Sequence, residues 1–409
     1  NSVRHFIAID DAFLQYQGGV QFHENNIPHT FNLENIILIN GNGRTNNPSW
    51  LDPFKGGGCL YIGRAGKSNI NCVSFDNCKS IGIREQWNWQ YQYSGGAILF
   101  DEGSDNTIDN SKFCNNFASQ QGGGIYTKAK TKSLIIRNSL FYGNIADGKD
   151  EQGGGAIYLH ETYANINNVA FILNQARMGG AIRVLLSDLH SSNSIYCKNT
   201  ALFDSTSNAF GPTFSRGGAI YIDGACRNGY TTILGNIRTQ CNRRISFINN
   251  IFEDNNSGSR GGAIYQCIYD NGDKATYNNN NFTGNYIGPF NNLEYYDHLY
   301  GAALHIDCTG MTTISNTKIT GNYVYNDNNG FLVLRNNNQY YLDIQLENIN
   351  FGDFIDEWRI NYINNNNIIA GRTNNDIIGD ELPKVCSKIQ ENYQANQVCA
   401  SFLIANVND

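Results

Sequence analysis

Charge is scarce in this chain. Of 409 residues only 16% are Asp, Glu, Lys or Arg, and 29 basic against 36 acidic side chains leave a net charge of -7. No cluster of Lys and Arg stands out, which excludes a phosphate-binding surface and with it nucleic acid as a partner. Proline is rare, at 6 residues, so the chain is not a proline-rich disordered one. No run of 18 apolar residues occurs, so no helix here spans a membrane. Neither a Cys-x-x-Cys pair nor a Cys–His cluster of zinc spacing is present, and no metal or cofactor is expected. The first residue is Asn and not Met, which reads as a processed or trimmed product, signal-peptide removal being one reason for it.

What fills the sequence is Asn together with 42 Gly, set among Ile, Tyr and Phe at 12% aromatic content. Asn and Gly favour turns and disfavour helix, whereas the β-branched and aromatic residues favour strands. An all-β, turn-rich fold with a packed core follows. The 11 Cys are scattered in a weakly charged chain, a pattern suited to an oxidising, extracellular setting. Their odd number leaves at least one thiol free or paired to another chain.

A repeat organises the rest. Gly-Gly-Ala-Ile-Tyr, or a near copy, begins at Gly57, Gly95, Gly122, Gly154, Gly179, Gly217 and Gly261, with a degenerate copy around Gly301. Phe-x-x-Asn follows, from Phe113, Phe141, Phe171, Phe252 and Phe282, with looser copies at Phe75–Cys78, Tyr196–Asn199 and Ile319–Asn322. In seven of eight pairs the two motifs stand 17 to 21 residues apart. The exception, Gly217 to Phe252, holds Cys226 and Cys241 and reads as a loop insertion. Constant spacing with insertions between copies is solenoid behaviour. The apolar runs are strand-length, so the expected fold is a right-handed parallel β-helix of about ten coils at ~4.8 Å per coil. The Gly pair allows positive φ and close backbone approach. Phe stacks on Phe between coils, and Asn at a corner forms a hydrogen-bonded ladder.

Together the two motifs resemble the repeats of the chlamydial polymorphic outer membrane proteins, over about residues 56 to 325. The resemblance implies a right-handed β-helix, display at the cell surface and a role in adhesion. Residues 352 to 409 lack the series of ten-residue amphipathic strands that closes the bacterial members in a membrane barrel.

Three regions are expected: residues 1–55 as an N-terminal cap with the first strands, 56–351 as β-helix repeats, and 352–409 as a C-terminal cap. Within that cap Cys386 and Cys399 are close enough to form a staple, around a short helix over 387–397. An uncapped end would accept another subunit, which is the route to end-to-end self-association. The other expected partners are surface proteins and glycans. Trp87, Trp89, Tyr91 and Tyr93 alternate along an extended insertion, which puts four aromatic rings on one face. That face serves either as a platform for sugar rings or as cover for the solenoid's own flank. Asn255 and Asn281 sit in glycosylation sequons.

The search for catalysis gives little. The motif set of β-helical pectin hydrolases is absent apart from Asp10-Asp11, which lies ahead of the repeats. Asp101, Glu102 and Asp105 form one acidic turn, and Asp270 and Asp273 another, without calcium-loop spacing. None of the 7 His falls in a catalytic or metal motif. His160 and His305 follow Gly-Gly motifs and read as surface residues. The expected function is therefore extracellular, structural or adhesive, and not enzymatic. A polysaccharide-processing enzyme and a non-catalytic glycan-binding module are the alternatives.

Overall fold

In the computed structural model the described residues are 6–8, 30–43, 56–63, 67–82, 93–101, 104–128, 131–148, 152–201, 215–224, 244–268, 273–288, 301–308, 310–324, 332–335, 342–350, 360–363 and 367–370. They form no helix, and their strands join into three sheets of 12, 15 and 8 strands. The fold is a parallel β-helix. One coil shows the plan: Ile125–Thr127 lies in the first sheet, Ser133–Tyr142 in the second and Ile145–Ala146 in the third. Each strand then pairs in parallel with its counterpart in the next coil. The second sheet has ten rows, starting at Thr30, Lys67, Asp105, Ser133, Tyr163, Asp188, Arg244, Lys274, Gly310 and Leu342. Thr30–Ile39 is its first row, the early strand expected from residues 31–41.

Three corners per coil need left-handed backbone, and the sequence supplies residues that tolerate it. The first Gly of each Gly-Gly motif has φ between 61° and 72°. The second Gly serves close approach: a Cβ on Gly155 would lie 2.2 Å from the carbonyl oxygen of Gly180 in the next coil. No Gly-Gly pair follows the copy at Gly301 in the sequence, and there Ala302 takes the second place. The bend within the second sheet is Asn110, Asn138, Asn168, Asn193, Asn249, Asn279, Asn316 and Asn348, with φ from 46° to 56°. Cys72 takes the same slot in the second row, at φ 54°. The third corner, before the third sheet, uses Asn115, Gly143, Leu173, Lys198, Asp254 and Gly284.

The Phe residues stack as expected. Phe75, Phe113, Phe141, Phe171, Tyr196, Phe252 and Phe282 form one internal column with ring centroids 4.5–5.0 Å apart. The motif Asn forms a second column beside it. Asn174 Nδ2 donates to Asn199 Oδ1 at 3.0 Å and to the carbonyl of Phe141 at 3.0 Å. Its Oδ1 accepts from the N–H and Nδ2 of Asn144. The same pattern runs from Asn116 through Asn144, Asn174, Asn199, Asn255 and Asn285 to Asn322. Buried amides are tolerable because every donor and acceptor is used.

The column begins with a substitution. Cys78 occupies the Asn slot and Cys59 the Ala slot of one coil, and the two form a disulfide across 19 residues. Closing a loop of that length contributes about 3 kcal/mol. At the other end, Asn367–Ala370 pairs antiparallel with both Leu332–Arg335 and Ile360–Ile363. The parallel ladder of the first sheet ends on that hairpin.

Candidate binding face

In a strand, alternate residues point to opposite faces. The Ile of each Gly-Gly motif points into the core, so the next residue points out of the first sheet. Register aligns these outward residues as Tyr61, Leu99, Tyr126, Tyr158, Arg183, Tyr221, Tyr265 and His305. All of them are buried. A second outward column holds His160, Leu185, Asp223, Cys267 and Asp307. The corner ahead of the Gly pair adds Met178, Arg216 and Arg260 in a third.

The lower part of this face is aromatic. Tyr61 donates its hydroxyl to Asp101, which is buried and also pairs with Lys128 at 3.0 Å. The upper part is ionic and aromatic together. Arg183 pairs with Asp223 at 2.7 Å and lies 4.0 Å from the centre of the Tyr221 ring. Arg216 lies 5.1 Å from the Tyr265 ring, and Tyr265 stacks on Tyr221 below and on His305 above. Asp307 receives the Tyr265 hydroxyl at 3.3 Å and has Arg260 and His305 at 3.8 Å. Burial pushes the phenols of Tyr221 and Tyr265 up and pulls the His305 imidazole down to about 4. The arrangement packs charges against rings and consumes them there.

Placement of the sequence-derived residues is uneven. His160 and His305 are both buried, which corrects their reading as surface residues; they also fall in different columns. Asp101 turns inward to Tyr61, away from Asp105, whose carboxylate accepts from Ser133 and faces Lys132. Asp273 is buried. Tyr93 is buried with its ring against Gly82, so the two ends of the aromatic insertion meet. Trp87, Trp89 and Tyr91 lie outside the described residues, as do Cys226, Cys241, Cys386, Cys399, Asp10, Asp11 and the segment 387–397. Asn255 is a rung of the internal ladder: its Nδ2, the atom a glycan would occupy, donates to Tyr196 and Asn285. A glycan there is incompatible with this packing. Asn281 is half-buried and its Oδ1 accepts from the Thr283 hydroxyl.

Insertions are not spread evenly. Residues 83–92, 202–214 and 289–300 lead from the third sheet to the first, and 225–243 leads from the first to the second. Among the described residues every crossing from the second sheet to the third takes two residues, from 77–78 through 115–116 and 143–144 to 321–322. The long connections all border the first sheet.

The Chlamydia polymorphic membrane protein repeat matches residues 110–128. That stretch runs from one Phe-x-x-Asn corner through the next Gly-Gly strand. The coil at residues 110–128 thus matches a Pmp-type repeat. The probable outer membrane protein PmpF of Chlamydia muridarum is 32% identical over 214 residues, a match that covers 47% of this chain and 19% of that protein. The chain thus spans about a fifth of that relative's length. No solved structure matches. In Pmp-type terms, the residues missed by sequence reasoning are Cys59 and Cys78. Their signal was present: both motif slots of one coil are Cys.

Proposed function

We propose that this chain is the rod of an extracellular, surface-displayed adhesive protein that acts by binding and not by catalysis. The observation that carries the reading is the confinement of long connections to the borders of the first sheet, on an otherwise constant scaffold. A rigid support that presents variable segments on one side is how recognition loops are held in other folds. Similarity to PmpF, a probable outer membrane protein, supports surface localisation. The acid–base groups of the first sheet support binding over catalysis, since Arg183–Asp223 and His305–Asp307 are spent on internal packing. The antiparallel hairpin at 360–370 favours a displayed rod over an end-to-end filament, because it interrupts the edge that a second copy would extend.

The test is adhesion of the oxidised chain to immobilised glycans and protein-coated surfaces, compared with variants in which 83–92 or 289–300 is replaced by a Gly-Ser linker. Loss of adhesion with unchanged β-sheet circular dichroism is expected. Adhesion that survives both replacements rules out loop-borne binding. Trp87→Ala with Trp89→Ala is expected to weaken glycan binding at least tenfold if the aromatic segment is the contact, a change of about 1.4 kcal/mol.

A further inference from the structure

The outer face of the second sheet sets opposite charges beside each other, with one exception. Lys67 in row two stands in register with Asp105 in row three, and Asp105 also faces Lys132. Asp109 in row three stands in register with Arg137 in row four. In rows seven and eight, Arg244 stands in register with Lys274, two cations on neighbouring rows ~4.8 Å apart. Both open their strands on the outward side and both are exposed. Neither has an ion-pair partner among the described residues. Like charges placed directly opposite each other destabilise a sheet. The next outward residue above is Met311, which is uncharged. Below, Asp188 is buried and accepts from the Arg244 backbone N–H at 3.1 Å.

Beside the two cations the surface is uncharged and able to hydrogen-bond. Two residues further along the same face, His190, Ser246 and Thr276 form one column in rows six to eight. All three are half-buried, and the hydroxyls of Ser246 and Thr276 bond to no other side chain among the described residues. At the lower edge the rings of Tyr163 and His190 meet with centroids 5.5 Å apart, and Tyr163 is also half-buried. Burial pulls the His190 imidazole down, so at neutral pH the charge of the patch rests on Arg244 and Lys274. Arg244 and Lys274 are far apart in the sequence, and only the stacking of coils brings them together.

We propose that this patch binds an acidic polysaccharide. Arg244 and Lys274 together take one carboxylate or sulfate group, which relieves their mutual repulsion. Ser246 and Thr276 hydrogen-bond the sugar hydroxyls, and a sugar ring rests against Tyr163 and His190. The chemistry selects this ligand over two others. A nucleic acid repeats its charge at every nucleotide and needs a track of cations, whereas Met311 and Asp188 end this one after two. An acidic peptide that docks by strand addition needs a sheet edge, and rows seven and eight lie inside the sheet. The net charge of -7 repels a polyanion elsewhere, so the attraction is local and screened by salt. The site belongs to the scaffold and stands independently of loop-borne adhesion.

The experiment measures binding of the full oxidised chain to immobilised hyaluronate, dextran sulfate and dextran at low and high salt. Binding to hyaluronate or to dextran sulfate is expected, weaker at high salt, with none to neutral dextran. Which acidic polymer binds tighter tells carboxylate from sulfate. Arg244→Gln with Lys274→Gln should lose about tenfold in affinity. Its urea midpoint should not fall, because a like-charge pair has been removed. Arg244→Lys with Lys274→Arg keeps both charges and should keep binding. Ser246→Ala with Thr276→Val should lose about threefold and leave the salt dependence unchanged. The proposal is overturned by binding to neither acidic polymer, or by undiminished affinity after the double Gln substitution. A poly-glutamate or single-stranded DNA probe bound as tightly as the polysaccharides also overturns it. Gly-Ser replacement of 83–92 and 289–300 should leave this affinity intact; its loss there, with the double Gln variant unchanged, moves the site to the loops and sinks the proposal.

Discussion

The corner between the second and third sheets and the face of the first sheet are built on opposite terms. At the corner every crossing has two residues, the side chain is Asn in seven successive coils from Asn116 to Asn322, and each amide is matched to its neighbours on both sides. Nothing can be inserted there without breaking two rungs. On the first sheet the outward residue changes from Tyr to Leu, Arg and His, and the connections vary from short turns to the 19 residues of 225–243. Its packing is specific to each place and its bordering loops are free to differ. A repeat protein thus divides its labour within every coil: one corner keeps register and another carries individuality.

The largest effect should come from the corner. Asn174→Ala strips partners from the Phe141 carbonyl and from the N–H and Nδ2 of Asn144. At 1–3 kcal/mol for each buried group left unsatisfied, about 5 kcal/mol should be lost in urea denaturation. A loss under 1 kcal/mol would show that the ladder is decoration. Arg183→Met, on the variable face, leaves Asp223 buried beside an apolar chain and should cost about 3 kcal/mol, partly recovered when Asp223→Asn is added.

Acid should reach the face and spare the corner, whose amides do not titrate. Burial holds His305 at about 4 in the folded chain against about 6.5 when unfolded. Between those values the unfolded chain binds the extra proton, so stability falls as pH drops through that window and levels off below it. Its contribution is on the order of 3 kcal/mol. Stability curves from pH 7.5 to 4 should be less steep for His305→Phe, and parallel curves would refute the assignment.

The disulfide offers a graded test of the corner's rule. Cys59→Ala with Cys78→Ala should lose about 3 kcal/mol. Cys59→Ala with Cys78→Asn restores both motif residues and should recover about 1 kcal/mol through a new rung below Asn116. The smallest effect belongs to the loops: a Gly-Ser replacement of 83–92 should move the melting midpoint by less than the equivalent of 1 kcal/mol, since closure entropy changes slowly with length.

The corner was legible in the sequence because its requirements are local and repeat. A left-handed backbone asks for Gly or Asn, and a stacking column asks for Phe at constant spacing. The outward column was not legible in the same way. Alternation says that Tyr126, Arg183 and His305 leave the core, and says nothing about what then covers them, so His305 read as a surface residue and is buried. Asn255 shows the converse failure: a sequon is a local pattern, whereas its burial depends on the coils above and below. Trp87 and Trp89 carry the clearest aromatic signal in the chain and remain a proposal for binding.

The asparagine ladder has a consequence for how such a rod changes length over generations. Each rung presents the same amide face upward as it receives from below, so one coil is a legitimate neighbour for any other. Deleting or duplicating a whole coil re-forms the same junction, whereas adding a single residue at the corner ruins it. Genetic variation in the span of the rod should therefore come in whole turns, with the reach of the displayed loops stepping by ~4.8 Å at a time.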